Sequence, residues 1–176
     1  MKNRLILMRH GKSDWTVEHC TDFDRPLTVR GQKAARQMGN WLQQQSYNFD
    51  RIICSPALRT RQTCKLVLKK LGISHSQVIW ESAMYEASLD TLISILDRHS
   101  HGLGAHTLFM IGHNPGLDQL LCHLSIDPPA VNHCGKLLTT AAIAVLEYNQ
   151  SRITGASHQA RLRYLIRPKE LSLNKN

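Results

Sequence analysis

Short apolar runs that end in glycine-, serine- or proline-bearing loops alternate with longer stretches whose apolar positions recur every three or four residues. Leu5 to Met8 is the first such run, and it gives way at Arg9-His10-Gly11, which predicts a buried strand followed by a loop. From Thr28 to Gln45 the residues Ala34, Ala35, Met38, Trp41 and Leu42 fall at helical spacing, with Thr28 as the N-cap. Gly31 and Gly39 lower the helical propensity of this stretch slightly. Arg51 to Cys54 repeats the strand pattern. Ser55-Pro56 then predicts a helix start, serine as cap and proline in the first turn. That helix carries Arg59, Thr63, Leu66, Val67 and Lys70 and stops at Gly72.

Val78 to Trp80 predicts a third strand, and Leu89 to His99 a third helix bearing Leu92, Ile93 and Leu96. Thr107 to Ile111 is the clearest buried strand. It ends at Gly112-His113-Asn114-Pro115-Gly116, before the helical pattern of Leu117, Leu120, Leu121 and Leu124. Ala141 to Leu146 and Ala160 to Ile166 predict two last strands, joined by a polar loop that turns near Gly155. Strands alternating with helices imply parallel βαβ units. The expected fold is α/β, a three-layer, doubly wound, mostly parallel sheet with helices on both faces. No repeat, linker or low-complexity stretch divides the chain, which predicts one domain over residues 1–176.

A chain of 176 residues is long enough for one sizeable core. Apolar residues make up 42% and charged residues 20%, a globular balance. No apolar run approaches the ~20 residues of a membrane span, so no membrane association is expected. The opening Met1-Lys2-Asn3-Arg4 leads into an apolar stretch too short for a signal peptide, which predicts a cytoplasmic protein. Five cysteines without regular spacing predict reduced thiols and no disulfide framework. The formal charge of +9 favours phosphorylated or acidic partners. Nucleic acid is disfavoured because the basic residues are scattered, aromatics are only 6%, and no groove-reading motif occurs.

Three loops that follow strands carry the candidate chemistry: Arg9-His10-Gly11-Lys12-Ser13, Ser55-Pro56-Ala57-Leu58-Arg59 and Gly112-His113-Asn114-Pro115-Gly116. Ligand sites of open α/β sheets form at the carboxyl ends of strands, where such loops converge. Two arginines offer planar donor forks for phosphate oxygens. Two histidines can divide the work of nucleophile and donor. Gly11, Gly112 and Gly116 permit close backbone approach. No Gly-x-x-x-x-Gly-Lys-Ser/Thr loop, Gly-x-Gly-x-x-Gly turn or His-Glu-x-x-His helix is present.

Arg9-His10-Gly11 resembles the Arg-His-Gly signature of the histidine phosphatase (phosphoglycerate-mutase-like) superfamily. Ser55-Pro-Ala-Leu-Arg59-Thr-Arg-Gln-Thr63 resembles its second arginine motif, and Gly112-His113-Asn-Pro-Gly116 its second histidine. Arg9-His10-Gly-Lys-Ser-Asp-Trp15, Asp24-Arg-Pro-Leu27 with Arg30-Gly31, and Tyr164-Leu-Ile-Arg-Pro-Lys-Glu-Leu171 are similar to the SixA-type phosphohistidine phosphatase branch. The resemblance implies that His10 attacks phosphorus and forms a transient phosphohistidine, while Arg9, Arg59 and His113 bind the transferring oxygens. It implies no metal and no cofactor. Lys12 and Ser13 are candidate phosphate contacts, and Glu86, after Tyr85, is the counterpart of the carboxylate that other branches use as general acid. Phosphoglycerate mutases carry asparagine where Thr16 stands here and are longer between motifs, which disfavours mutase activity.

The expected activity is phosphohistidine hydrolysis on a protein, such as a phosphorelay or phosphotransferase component, by a monomer. Two alternatives stay open: a phosphatase of small phosphate esters, and an idle phosphoprotein-binding module. Arg61, two residues beyond Arg59, is expected off the site. Asp14 and Trp15 are expected to be structural, and Asp24 and Arg25 to form a loop-fixing ion pair. Cys122-His123 and His133-Cys134 lack zinc-ligand spacing.

Overall fold

The computed structural model describes residues 2–101 and 106–173. In chain order the elements are β1 (Asn3–Arg9), α1 (Val29–Gln44), β2 (Arg51–Cys54), α2 (Leu58–Leu71), β3 (Val78–Trp80) and α3 (Leu89–Ser100), followed by β4 (Thr107–Gly112), α4 (Gly116–Leu124), β5 (Ile143–Tyr148), β6 (Ala160–Ile166) and α5 (Pro168–Leu173). The strands form one sheet in the order β3-β2-β4-β1-β5-β6. Neighbours from β3 to β1 pair in parallel, while β5 runs against both β1 and β6. The sheet is mixed, and β5 alone opposes the common direction.

Alternation along the central strands separates two cores. Leu5, Leu7, Leu108 and Met110 pack with Ile95, Leu96, Leu120 and Leu121 of α3 and α4. Ile6, Met8, Phe109 and Ile111 pack on the opposite face with Met38 and Leu42 of α1 and Val67 and Leu68 of α2. Both faces of β4 are therefore covered, which explains its unbroken apolar run. Each such side chain contributes roughly 1.5–3 kcal/mol on leaving water.

The expected helix cap at Thr28 is present, its hydroxyl accepting the Gly31 N–H at 3.0 Å. Gly72 ends α2 in the left-handed conformation, φ 70°. Two expectations shift. Helix α2 begins at Leu58 rather than at Pro56, with Ala57 as N-cap and no side-chain cap, and the Ser55 hydroxyl meets His113 Nε2 at 2.8 Å while accepting the Ala57 N–H at 3.5 Å. Strand β5 begins at Ile143 rather than Ala141. Ala141 has a positive φ of 63° and donates its N–H to the His10 carbonyl.

The chain leaves β1 for α1 on one face and returns as β2, beyond β4. It leaves β4 for α4 on the other face and returns as β5, beyond β1. The carboxyl ends of β1 and β4 thus flank a topological switch point, where a crevice opens. Arg9 pairs with Gly112 there, and the His10 N–H donates to the Gly112 carbonyl at 3.1 Å.

Candidate active site

His10 follows β1 directly and is 8% exposed. Its Nδ1 lies 2.7 Å from the Gly11 carbonyl oxygen. A carbonyl only accepts, so Nδ1 carries the hydrogen and Nε2 keeps the lone pair. Burial, with the charges of His113, Arg59 and Arg9 adding to it, pushes the His10 pKa down to about 3 against the opposing pull of the Gly11 bond. The imidazole is neutral at neutral pH.

The loop under His10 is held from both helices of one face. A Cβ on Gly31 would sit 2.2 Å from the Lys12 carbonyl oxygen, so the first turn of α1 packs on this loop only because glycine stands there. The Gly11 N–H donates to Thr63 Oγ1 at 3.0 Å, and that hydroxyl donates to the Arg59 carbonyl at 2.7 Å. Helix α2 thereby ties the first loop to the arginine of the second.

His113 follows β4, with its ring centroid 5.2 Å from that of His10. Its Nε2 is 2.8 Å from Ser55 Oγ. Burial, then the Arg59 charge, pushes its pKa down to about 4. Arg9 donates from Nη1 to the Leu138 carbonyl at 3.0 Å, the oxygen that also accepts from Asn114 Nδ2. Arg59 donates from Nη1 to the Asp22 carbonyl at 2.5 Å and from Nη2 to Asp22 Oδ2 at 2.9 Å. The same carboxylate meets Arg25 Nη2 at 2.6 Å and accepts the Tyr85 hydroxyl at 2.8 Å. Against the opposing effect of partial burial, the Tyr85 bond and the charges of Arg59 and Arg25 hold the Asp22 carboxyl below its ordinary value.

Among the described residues, the buried side-chain polar atoms without a partner are Nε of Arg9, Arg25 and Arg59, Nδ1 of His113 and Oδ1 of Asn114. All five residues line one cleft of about 640 Å³, with His10. An unsatisfied buried donor costs about 1–3 kcal/mol. The guanidinium groups of Arg9 and Arg59, gathered around one cleft with His113, suit an anion there.

The structure brings every expected site residue to this cleft. Arg9, His10, Arg59 and His113 form its interior. Lys12 is exposed at the rim, and its carbonyl accepts from the Thr28 N–H. Ser13 is buried and bridges to Leu27. Glu86 is exposed and lines the cleft, with a left-handed φ of 50°. Arg61 is exposed and does not line the cleft.

Two expectations are corrected. Arg25 pairs with Asp22, not Asp24, whose carboxylate instead accepts the Thr21 hydroxyl at 2.7 Å. Trp15, expected to be structural, is 72% exposed and lines the cleft. Asp22, Ser55 and Tyr85 emerge only from the structure, because their partners lie 37, 58 and 63 residues away. The described residues contain no group of three or more His, Cys, Asp or Glu side chains placed to hold a metal ion. No described helix is long and apolar enough to cross a membrane.

Residues 5–92 match the histidine phosphatase superfamily (branch 1). A 2,3-bisphosphoglycerate-dependent phosphoglycerate mutase of Methylobacterium radiotolerans is 38% identical over 88 residues, which are 49% of this chain and 42% of the mutase. The chain thus spans less than half the length of that relative. A Mycobacterium tuberculosis protein is 32% identical over 143 residues, 79% of this chain and 85% of its own. Among solved structures, the protein histidine phosphatase SixA complexed with tungstate superposes with a TM-score of 0.77 at 25% identity, covering 96% of this chain and 99% of SixA. A SixA structure from Nakamurella multipartitia gives 0.72 at 28% identity, covering 96% and 97%.

Proposed function

The chain belongs to the histidine phosphatase superfamily (branch 1), and on that premise we propose that it is a metal-independent phosphohistidine phosphatase acting on a protein through a transient phospho-His10. The observation that carries this reading is the state of His10: neutral, its Nδ1–H committed to Gly11, in a cleft that Arg9, Arg59 and His113 also line.

In the first step His10 Nε2 attacks phosphorus in line. The N–P bond to the substrate imidazole breaks as the new N–P bond forms, and the leaving nitrogen takes its electron pair and a proton from solvent. In the second step water attacks phospho-His10, its proton passes to solvent, orthophosphate leaves and neutral His10 returns. The Nδ1–H stays on Gly11 throughout, which fixes ring orientation and tautomer. Arg9 and Arg59 stabilise the equatorial oxygens, and His113 donates from Nδ1 when the Ser55 hydroxyl donates to its Nε2. Such donors stand ready where charge is transferred, so cationic side chains supply what a metal supplies elsewhere. Tungstate, bound by SixA, has the tetrahedral oxyanion shape this cleft suits.

Imidazole is a better leaving group than an alkoxide and needs less from a general acid, so an exposed Glu86 is sufficient for phosphohistidine. The formal charge of +9 supports an acidic protein as carrier. The test compares a phosphohistidine protein with sugar phosphates at equal concentration and with chelator present. Faster release from phosphohistidine, lost in His10→Ala, is expected. Preference for the esters, or activity that returns only with added metal, overturns the reading.

A further inference from the structure

Trp15 stands at the mouth of the cleft in an unusual setting for a tryptophan. The Arg25 guanidinium carbon lies 3.3 Å from its ring centroid, so one face of the indole is covered by a cation. Yet the residue is 72% exposed, which leaves the opposite face and edge to solvent. Arg25 is itself 7% exposed and pinned to Asp22, which also grips Arg59. The indole is therefore fixed by a short chain of contacts to the phosphate-binding arginine. A smaller groove of about 150 Å³ shares Trp15, Asp22 and Arg25 with the cleft, so Trp15 borders both.

We propose that Trp15, backed by Arg25, is an aromatic shelf that receives the imidazole ring of the phosphohistidine substrate as leaving group. The inference rests on the phosphohistidine reading and adds the residue that recognises its ring. His10 sits at the floor, 8% exposed, and attacks from about 3–3.5 Å in line. The leaving nitrogen consequently departs on the far side of phosphorus, toward the mouth where Trp15 stands. A flat neutral imidazole stacks on an indole face in offset geometry. The guanidinium on the other face draws electron density from the indole and favours an electron-rich ring on the open side. The smaller groove then takes the substrate chain beyond the imidazole.

The ring can be tested apart from any protein partner. Phosphoimidazole and phosphoramidate both present a P–N bond, and only the first carries a ring. The measured quantity is the ratio of kcat/KM for phosphoimidazole over phosphoramidate. Trp15→Ala lowers this ratio about 5-fold, in line with the worth of one aromatic pair, while Trp15→Phe keeps it within about 2-fold. Equal losses on both compounds, the result expected if Trp15 only steadies Arg25, overturn the shelf and leave the phosphatase reading standing. A wild-type protein that releases phosphate from neither compound overturns both.

Discussion

Asp22 holds Arg59 twice, through its backbone carbonyl at 2.5 Å and its carboxylate at 2.9 Å. The same carboxylate holds Arg25. Two guanidinium groups, 5% and 7% exposed, thus share one anion that is itself partly in solvent. The arrangement leaves the Nε–H of each arginine without a partner while fixing its plane. Asp22→Ala therefore frees Arg59 and leaves two buried cations uncompensated. The expected outcome is a fall in kcat/KM of about 10-fold or more. Urea unfolding should register a loss of about 1–2 kcal/mol, discounted for the exposure of Asp22. Added phosphate should recover more stability in the variant than in the parent, because the anion replaces the missing charge.

Ser55 makes a second prediction. Its hydroxyl meets His113 Nε2 at 2.8 Å. Ser55→Ala leaves that nitrogen buried without a partner and removes the bias that places a hydrogen on Nδ1. A stability cost of about 1 kcal/mol is expected, with kcat reduced about 10-fold. Ser55→Thr, which retains the hydroxyl, should restore most of the rate. If alanine and serine turn over alike, His113 does not depend on this bond.

Strand and helix positions were readable from periodicity because both faces of the sheet are covered and each helix presents one apolar stripe. The ordered Arg9-His10, Arg59 and His113 loops were readable because three strands end beside one another. What escaped the sequence is the layer behind those residues. Asp22 lies in a loop whose nearest acid to Arg25 is Asp24, and only the folded turn shows that the Asp24 carboxylate accepts the Thr21 hydroxyl while Asp22 faces the arginines. Ser55 before Pro56 has the form of a helix cap, and the imidazole that meets its hydroxyl comes from the loop after β4, more than fifty residues later. Trp15 is exposed where a structural role is expected, because an exposed aromatic and a packed one look the same in sequence. Local pattern reports local energetics; these side chains answer to partners that topology supplies.

The two histidines set an acid-side signature. Both have folded pKa values below the ordinary 6.5, about 3 for His10 and about 4 for His113. The unfolded chain therefore binds more protons than the folded one between those values and 6.5. Stability contributed by these groups is fully present above 6.5 and declines as pH falls through the window toward 4. Asp22, with its lowered carboxyl, loses its contribution only below the ordinary carboxylate range. Urea unfolding across pH 4–7 should show a downward slope toward acid that flattens in a His10→Asn/His113→Asn double variant. After correction for substrate ionisation, kcat/KM should keep its plateau below 6.5, since His10 stays neutral there. An acid limb centred at the ordinary histidine value contradicts this assignment.

Gly31 concerns the frame on which His10 stands. A Cβ there would lie 2.2 Å from the Lys12 carbonyl oxygen and 2.8 Å from its nitrogen, both backbone atoms that no rotamer change can move aside. Gly31→Ala must push the start of α1 away from the loop carrying Arg9, His10 and Lys12. Overpacking of this kind costs about 1–3 kcal/mol, and the displaced loop should lower kcat by about 100-fold, since a shift of 1 Å at a reacting atom suffices for that. Gly72→Ala separates the two effects. Its φ of 70° penalises alanine by about 1 kcal/mol, but a Cβ there meets nothing within 4 Å and the residue does not line the cleft. The Gly72 variant should melt earlier and turn over normally. If Gly31→Ala loses stability without losing rate, the contact between α1 and the His10 loop bears on folding alone and not on the placement of His10.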